Sequence, residues 1–549
     1  MTTFQPRPPY SHEELARLYP SQLSLQLVQI IARHGERTPV SARFQNAGLS
    51  SHWPYCNAAR YLTEAVMNES GTFDHITFRR RLETFSSADD APVLTRGPKG
   101  EIDNICDAGE LTDKGRQTTL ALGQRLRHLY INQLAFMPMT LADADSIYLR
   151  ATPIPRALQS ILQVFWGMYP TRNRTPDFKP PTVITRMMAD EDLFPNEGNC
   201  QRLRMLAKAF ANRSAERWNQ TDDMDHVNKM VGKWMPDPTK RIGVDSHPRL
   251  SGIMDTINST SAHGLETRLP PEFYDSRVGE VIDKVGVEEW FSGFAESQEY
   301  RRLGVGSIVA DTVSRMVGHV RGNGQDGLLE VGGSDASPGQ GRGGEKQIKL
   351  GLSGAHDVTL AAYLTSLGAF EGEIRKWPPY TSHLAIELFR QKPGTSGSLP
   401  ASPPGLSIAI KPSSAPEQSS QSAFSQWFSR IFNLSPSPSP SGTQAGSASS
   451  TLRTPLSAYA PEQSQALNGY YVRIRYNDVP VKIPACRSAG KHLEGDDGFC
   501  TLAAFKQLAD SFTPKQWKEE CRENLERKGV PPLELVDGVR GLGEGRAGG

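Results

Sequence analysis

Leu27-Val28-Gln29-Ile30-Ile31-Ala32-Arg33-His34-Gly35-Glu36-Arg37-Thr38-Pro39 decides how the rest of the chain is read. The first half is an almost unbroken apolar run, the pattern of a strand buried on both faces of a parallel sheet. The second half sets two arginines and a histidine where that strand stops. Open α/β sheets hold their ligands at the carboxyl ends of their strands. An imidazole between two guanidiniums suits attack on a phosphate. The arginines grip the non-bridging oxygens with paired donors, and the neutral ring takes the phosphoryl group. A lone histidine beside arginines is more often a surface turn. What lifts His34 above that reading is the ordered pattern and the recurrence of partner residues far along the chain.

Two further apolar runs end in chemistry. Ile147-Tyr148-Leu149 leads into Arg150-Ala151-Thr152, followed by a helical pattern over 157–168. Ile348-Lys349-Leu350-Gly351-Leu352 leads to Gly354-Ala355-His356-Asp357, followed by a helical pattern over 358–367. Three strand ends of one parallel sheet can face one crevice. A histidine there can donate to a phosphate, and an aspartate can protonate a leaving alkoxide as general acid. Arg156, in Pro153-Ile154-Pro155-Arg156, reads equally as a support residue or an exposed arginine. Two histidines and an aspartate also suggest a metal, but arginines beside His34 would repel a divalent ion. No metal or other cofactor is therefore expected.

Arg33-His34-Gly35-x-Arg37-x-Pro39, Leu111-Thr112-x-x-Gly115, Arg150-Ala151-Thr152 before a helix, and His356-Asp357 together resemble the histidine phosphatase superfamily in its acid phosphatase branch. The resemblance implies an α/β fold: a three-layer core with a mixed, mostly parallel sheet flanked by helices, plus a largely helical cap. It implies that His34 becomes a transient phosphohistidine, that Arg33, Arg37, Arg150 and His356 hold the phosphate, and that Asp357 supplies the proton. The substrate class is then a small phosphate monoester. The turn Leu193-Phe194-Pro195-Asn196, the run Lys376-Trp377-Pro378-Pro379 and the Cys486…Cys500 segment look like those of the lysophosphatidic acid phosphatases. A lysophospholipid is the leading substrate on that ground, with an apolar entrance expected from Trp53, Tyr55, Trp377 and Tyr380. A phytase-like or broad acid phosphatase is the second reading. A non-catalytic phospholigand-binding scaffold is the third.

Length overstates the folded part: 549 residues carry only 37% hydrophobic residues, with 49 Gly and 40 Pro. Residues 1–24 read as a polar lead-in, and 40–110 as an elaborated loop region. The phosphatase domain is expected over 25–390 and 465–525, with the helical cap at about 186–320. A Gly-rich flexible loop is expected at 322–346 and a mobile tail at 526–549. Residues 391–464 are rich in Ser and Pro and cannot bury enough apolar surface to offset their ordering entropy, so they read as disordered. Strands over 384–389 and 470–476 would then pair as a hairpin across that insert.

A formal net charge of +1 gives no reason to expect nucleic acid or an anionic membrane as a partner. No apolar run is long enough to span a bilayer. The N-terminal residues lack the apolar core of a signal peptide, which predicts an intracellular protein, cytoplasmic or mitochondrial. In such a compartment the six cysteines are expected as thiols, although Cys486 and Cys500 flank a short loop and could meet.

Overall fold

The structure is a computed structural model and describes residues 3–321, 348–393 and 453–536. The expected loop at 322–346, most of the expected insert and the end of the expected tail lie outside the described residues.

The strands are β1 (Leu23–Arg33), β2 (Tyr61–Met67), β3 (Phe73–Arg79), β4 (Glu83–Phe85), β5 (Pro92–Leu94), β6 (Ile147–Ala151) and β7 (Val183–Ile184). They continue with β8 (Leu350–Ala355), β9 (His383–Gln391), β10 (Tyr470–Tyr476), β11 (Val479–Val481), β12 (His492–Leu493) and β13 (Asp496–Thr501). The helices are α1 (His12–Leu18), α2 (Asp113–Arg127), α3 (Pro155–Met168), α4 (Gln201–Trp218), α5 (Asp222–Val231), α6 (Leu250–Ala262) and α7 (Ser276–Glu296). They continue with α8 (Gln298–Gly304), α9 (Gly306–Arg321), α10 (Asp357–Ser366), α11 (Pro461–Gln465), α12 (Leu502–Asp510) and α13 (Trp517–Glu520).

One mixed sheet runs β12-β13-β10-β9-β1-β8-β6-β7, with β11 beside β10. β1, β8, β6 and β7 are mutually parallel, while β9 and β13 run against their neighbours. The quoted stretch is central, between β8 and β9. Its residues alternate as a doubly covered strand must. Leu27 and Ile31 enter the core that holds α4, α7, α9 and α10. Val28, Ile30 and Ala32 enter the opposite core with Leu122 and Leu126 of α2 and Ile161 and Val164 of α3. Helices therefore cover both faces, as the sequence predicts. A third core, with Met224, Val227, Ile253 and Val281, holds the helices of the cap region together.

The hairpin expected over 384–389 and 470–476 forms, with Phe389 opposite Tyr471. Its charges are not on a wet face. Arg473 and Arg475 are fully buried and meet Glu387, which takes Arg473 Nη2 at 2.7 Å and the hydroxyls of Tyr19 and Tyr130 at 2.6 and 2.8 Å. Burial alone would raise the Glu387 pKa, but Arg473 and Arg475 outweigh it and lower it from 4.5 to about 2. Glu387→Gln would leave buried Arg473 without a charge partner and Arg475 with only Asp478 at 3.7 Å, an expected loss of about 3–5 kcal/mol in denaturant unfolding at pH 7. The pKa is depressed in the fold, so this contribution is complete above pH 4.5 and is lost as pH falls towards 2. The gap between the variant and the parent should close over that interval; a constant gap would overturn the ionic explanation.

Four expectations change. Residues 40–110 are not all loop: β2–β3 and β4–β5 form two hairpins, because their runs alternate β-branched and aromatic residues around polar turns. The expected insert ends early, since Arg453 pairs with Asp311, and Leu456 and Tyr459 pack on the core. The expected tail begins late: Arg301 donates to the Glu534 carbonyl at 3.0 Å, and Val536 is buried. Finally the cysteines are paired, Cys56–Cys106, Cys200–Cys521 and Cys486–Cys500, so the thiol expectation fails. Two of these pairs join residues 50 and 321 apart in sequence, distances over which spacing carries no signal. No described helix is long and apolar enough to cross a membrane.

Candidate active site

β1 delivers its last residues to the carboxyl edge of the sheet. There the backbone is held on both sides: His34 N–H donates to the Ala355 carbonyl, and the Thr381 N–H donates to the His34 carbonyl. The turn after His34 passes so close to the first turn of α2 that a Cβ on Gly35 would lie 2.3 Å from the Gly115 carbonyl oxygen. Gly115 is equally confined by Glu36. The two glycines of the quoted sequence elements thus explain each other: only bare backbone fits where the loop and helix touch.

His34 is buried, and its Nδ1 lies 2.8 Å from the Gly35 carbonyl oxygen. A carbonyl can only accept, so Nδ1 carries the proton and the lone pair of the neutral ring sits on Nε2. The ring stays neutral because burial, then Arg156, Arg33, Arg37 and His356, hold its pKa well below the ordinary imidazole value. A neutral, fixed-tautomer imidazole among cations is prepared to attack phosphorus and not to titrate.

Three arginines make that field. Arg33 pairs with Asp357 at 2.7 Å and lies 4.1 Å over the Tyr380 ring. Arg37 pairs at 2.8 Å with Asp255 of α6, which also receives the Val40 N–H. The cap therefore positions an arginine of the loop that follows β1. Arg156, the second residue of α3, forms no ion pair among the described residues, and its Nε is buried without a partner. Its pKa is lowered to about 10, by burial first and then by Arg37. A guanidinium left uncompensated beside other guanidiniums is a vacancy for an anion.

Arg150 is not in this field. It donates at 2.6 Å to both Glu191 and Asp192, and Asp192 also meets Arg186 at 2.7 Å. The expectation that Arg150 holds phosphate is corrected: its strand position is right, but its side chain is consumed by two carboxylates of the turn at 190–192. Arg156, six residues on, carries the charge into the site. A signal was present, an arginine in the first turn of the helix that leaves a site-facing strand, where backbone N–H groups also face an anion.

His356 and Asp357 arrive as expected, at the start of α10. The rings of His34 and His356 are 5.5 Å apart. His356 Nε2 lies 3.1 Å from the Thr152 hydroxyl. Burial, then Arg156, lowers the His356 pKa to about 3, with Asp357 opposing. Asp357 Oδ2 accepts from Trp377 Nε1 at 3.0 Å, and Oδ1 from the Val358 N–H at 2.9 Å. Burial favours the neutral acid, but Arg33 and the Trp377 donor outweigh it and hold Asp357 below the ordinary carboxylate range. Trp377 is fixed in turn by Asp283, which accepts its backbone N–H at 3.0 Å.

Sequence reasoning missed Asp255 and the role of Trp377, because both reach the site from elements distant in the chain. Of the four aromatics expected at an entrance, Trp53 and Tyr380 are buried, Tyr380 beneath Arg33; only Tyr55 and Trp377 keep partial exposure. Glu36, beside His34 in sequence, and Glu387 of β9 are two further buried carboxylates, and both are occupied elsewhere. Glu36 takes the Thr3 and Thr118 hydroxyls at 2.8 and 2.5 Å, and Glu387 sits in its arginine cluster. His263 accepts a structural part, bridging Thr112 and the Ser259 carbonyl.

A probable acid phosphatase of Schizosaccharomyces pombe is 35% identical over 505 residues, 92% of this chain and 95% of the relative. Lysophosphatidic acid phosphatase type 6 of Homo sapiens is 26% identical over 287 residues, 52% of this chain and 57% of that protein. Among solved structures, the Hafnia alvei phytase in complex with tartrate aligns with 91% of this chain and 99% of its own, at 12% identity and a TM-score of 0.48. The model of the histidine phosphatase superfamily (branch 2) matches residues 24–399. With that span, and with a full-length relative named an acid phosphatase, the chain belongs to the histidine phosphatase superfamily as a phosphoric monoester hydrolase of the acid phosphatase kind.

Proposed function

We propose that the enzyme hydrolyses alkyl phosphate monoesters by double displacement at His34, with Arg33, Arg37, Arg156 and His356 holding the phosphate. The observation that carries this is the His34 ring, its Nδ1 proton committed to Gly35 and its Nε2 lone pair free inside a three-arginine field. His34 Nε2 attacks phosphorus as the bond to the alcohol oxygen breaks, and Asp357 gives that oxygen its proton. Water, deprotonated by Asp357, then cleaves the phosphohistidine and restores both groups. Asp357 is ionised in the empty site. An incoming phosphate competes for Arg33 and adds negative charge nearby, and both effects raise the Asp357 pKa. Acid pH is the condition under which that carboxyl is protonated.

The leaving group tests the acid. Aryl phosphates depart as phenolates without help, whereas alkoxides need the proton. Asp357→Asn should therefore reduce kcat/KM for an alkyl phosphate on the order of 10²-fold more than for an aryl phosphate. Trp377→Phe removes a donor to the carboxylate, so the alkaline limb of the alkyl-phosphate profile should move to higher pH. Equal losses on both substrates, or an unmoved limb, would assign the proton elsewhere.

Lysophosphatidic acid is the substrate we favour, on the similarity to enzymes named for it and on the sequence elements they share. Faster hydrolysis of inositol hexakisphosphate than of any lipid phosphate would favour the phytase-like reading. Three disulfides support folding in an oxidising compartment and weigh against a cytoplasmic interior.

A further inference from the structure

Residues 57–105 leave the body of the protein and return to one point. Cys56 and Cys106 join the two ends, and the Cys56 N–H donates to the Asn104 carbonyl beside the disulfide. Between them stand the hairpins β2–β3 and β4–β5, each a sheet of two strands, so all four strands are edges. Every residue of these strands except Val66 is exposed. Nine of the 18 exposed large apolar residues of the described chain lie here, in residues 61–94. Met67 is 70% exposed, Phe73 62% and Phe85 74%. The register puts Leu62 opposite Phe78 and Glu64 opposite Ile76, so Leu62, Ile76 and Phe78 share one face. Tyr61, Met67 and Phe73 share the other. A lone two-stranded hairpin is marginal in water, and apolar edges left open invite pairing.

We infer that these paired hairpins are the self-association surface of a two-fold dimer of this chain. Two observations select a second copy as the occupant. The first is area. An aromatic side chain covers about 150–250 Å², so Tyr61, Phe73, Phe78 and Phe85 at their observed exposures carry on the order of 400 Å² between them. Leu62, Met67, Ile76, Val93 and Leu94 bring the two faces of the arms together towards the roughly 800 Å² per partner of a stable interface, so the second copy must clasp the arms on both faces. That is beyond the roughly 300–600 Å² patch usual on a monomer. The second is charge. The far end of the β2–β3 arm carries Glu69 and Asp74, with Glu64 midway along it, and its root carries Arg60, Arg79, Arg80 and Arg81. Arg60, Arg79 and Arg81 crowd a single carboxylate, Asp103, at 3.9, 2.6 and 3.1 Å, which leaves cationic surplus at the root. A two-fold axis across the arms lays the acidic end of each on the basic root of the other, since every contact in such an interface occurs twice. An anionic bilayer fits less well: residues 60–94 hold four arginines against six carboxylates, a net charge of −2, and the β2–β3 tip, Asn68 to Thr72, is polar.

Sedimentation equilibrium of the full chain should show a dimer at micromolar concentration. Phe78→Glu should yield a monomer, with turnover of an aryl phosphate unchanged as the control for folding. Glu69→Arg with Asp74→Arg, both on the surface and harmless to the fold, should weaken the dimer about tenfold or more. A parent chain that stays monomeric at 50-fold higher concentration, or a dimer indifferent to these variants, overturns the proposal. So does a monomer that co-sediments with zwitterionic vesicles through Phe78, which would make lipid the occupant. Dimerisation that appears only after deletion of residues 394–452 would equally overturn it, by making that segment the cover.

Discussion

His34→Ala should reduce kcat/KM for any phosphate monoester by about 10⁴-fold or more, the scale on which removal of a covalent nucleophile is felt. The size follows from the arrangement and not from residue type. The tautomer leaves the lone pair on His34 Nε2, which makes no hydrogen bond among the described residues, whereas His356 Nε2 is already engaged with the Thr152 hydroxyl. A neutral-pH quench with labelled substrate should trap phosphate on residue 34 of the parent and on none in the variant. The acid-labile N–P bond requires that acid be avoided. The pH dependence gives an independent check. His34 is held neutral by burial and by three arginines, so no limb of the kcat/KM profile between pH 5 and 8 should belong to its protonation. Label trapped on His356, or variant turnover within tenfold of the parent, would sink the assignment.

Arg156→Ala and Arg150→Ala should fail in opposite ways. Arg156 forms no ion pair among the described residues, so its loss should remove charge stabilisation from the phosphoryl group in flight. The expected cost is about 10²–10³-fold in kcat/KM, with the melting temperature nearly unchanged or raised, because a buried cation repelled by Arg37 has gone. Arg156→Lys should recover little, since an ammonium cannot match two oxygens at once. Arg150→Ala leaves Glu191 buried without its partner, and burial already raises the Glu191 pKa. It should cost about 3–5 kcal/mol of stability while each folded molecule turns over aryl phosphate within a few-fold of the parent. Urea unfolding and kinetics on the same preparations separate the two. A stable, inactive Arg150→Ala would restore Arg150 to the site.

The two arginines also mark where sequence reasoning reaches its limit. Strand ends are written locally: an apolar run and then a polar turn determine that Arg33, His34, Arg150, His356 and Asp357 come to the carboxyl edge of a sheet. Which way a long side chain swings from that edge is decided by what waits on each side. For Arg150 the turn at 190–192 offers two carboxylates, and the ion pairs capture it. For Arg156 no carboxylate among the described residues comes within ion-pair distance, and only the site's own Asp357 and Asp255 act on it from further off. The same holds for Asp357, which Arg33 and Trp377 hold in its charged form against its burial, and for Arg37, held by Asp255 over 200 residues on.

The sequence by itself determined the doubly covered strand β1, the alternation that sends Leu27 and Val28 to opposite cores, the close glycine pair behind His34, and the arrival of Arg33, His34, His356 and Asp357 at one edge of the sheet. Periodicity and local turn chemistry suffice for those, because each depends on neighbours in the chain. Only the tertiary structure decided the third arginine, the buried Glu387 cluster, the cysteine pairings and the exposed hairpin arms. Each of these is a choice among partners brought together by folding. Burial makes that choice decisive, since a charge or thiol taken from water must take whatever partner the fold has placed beside it.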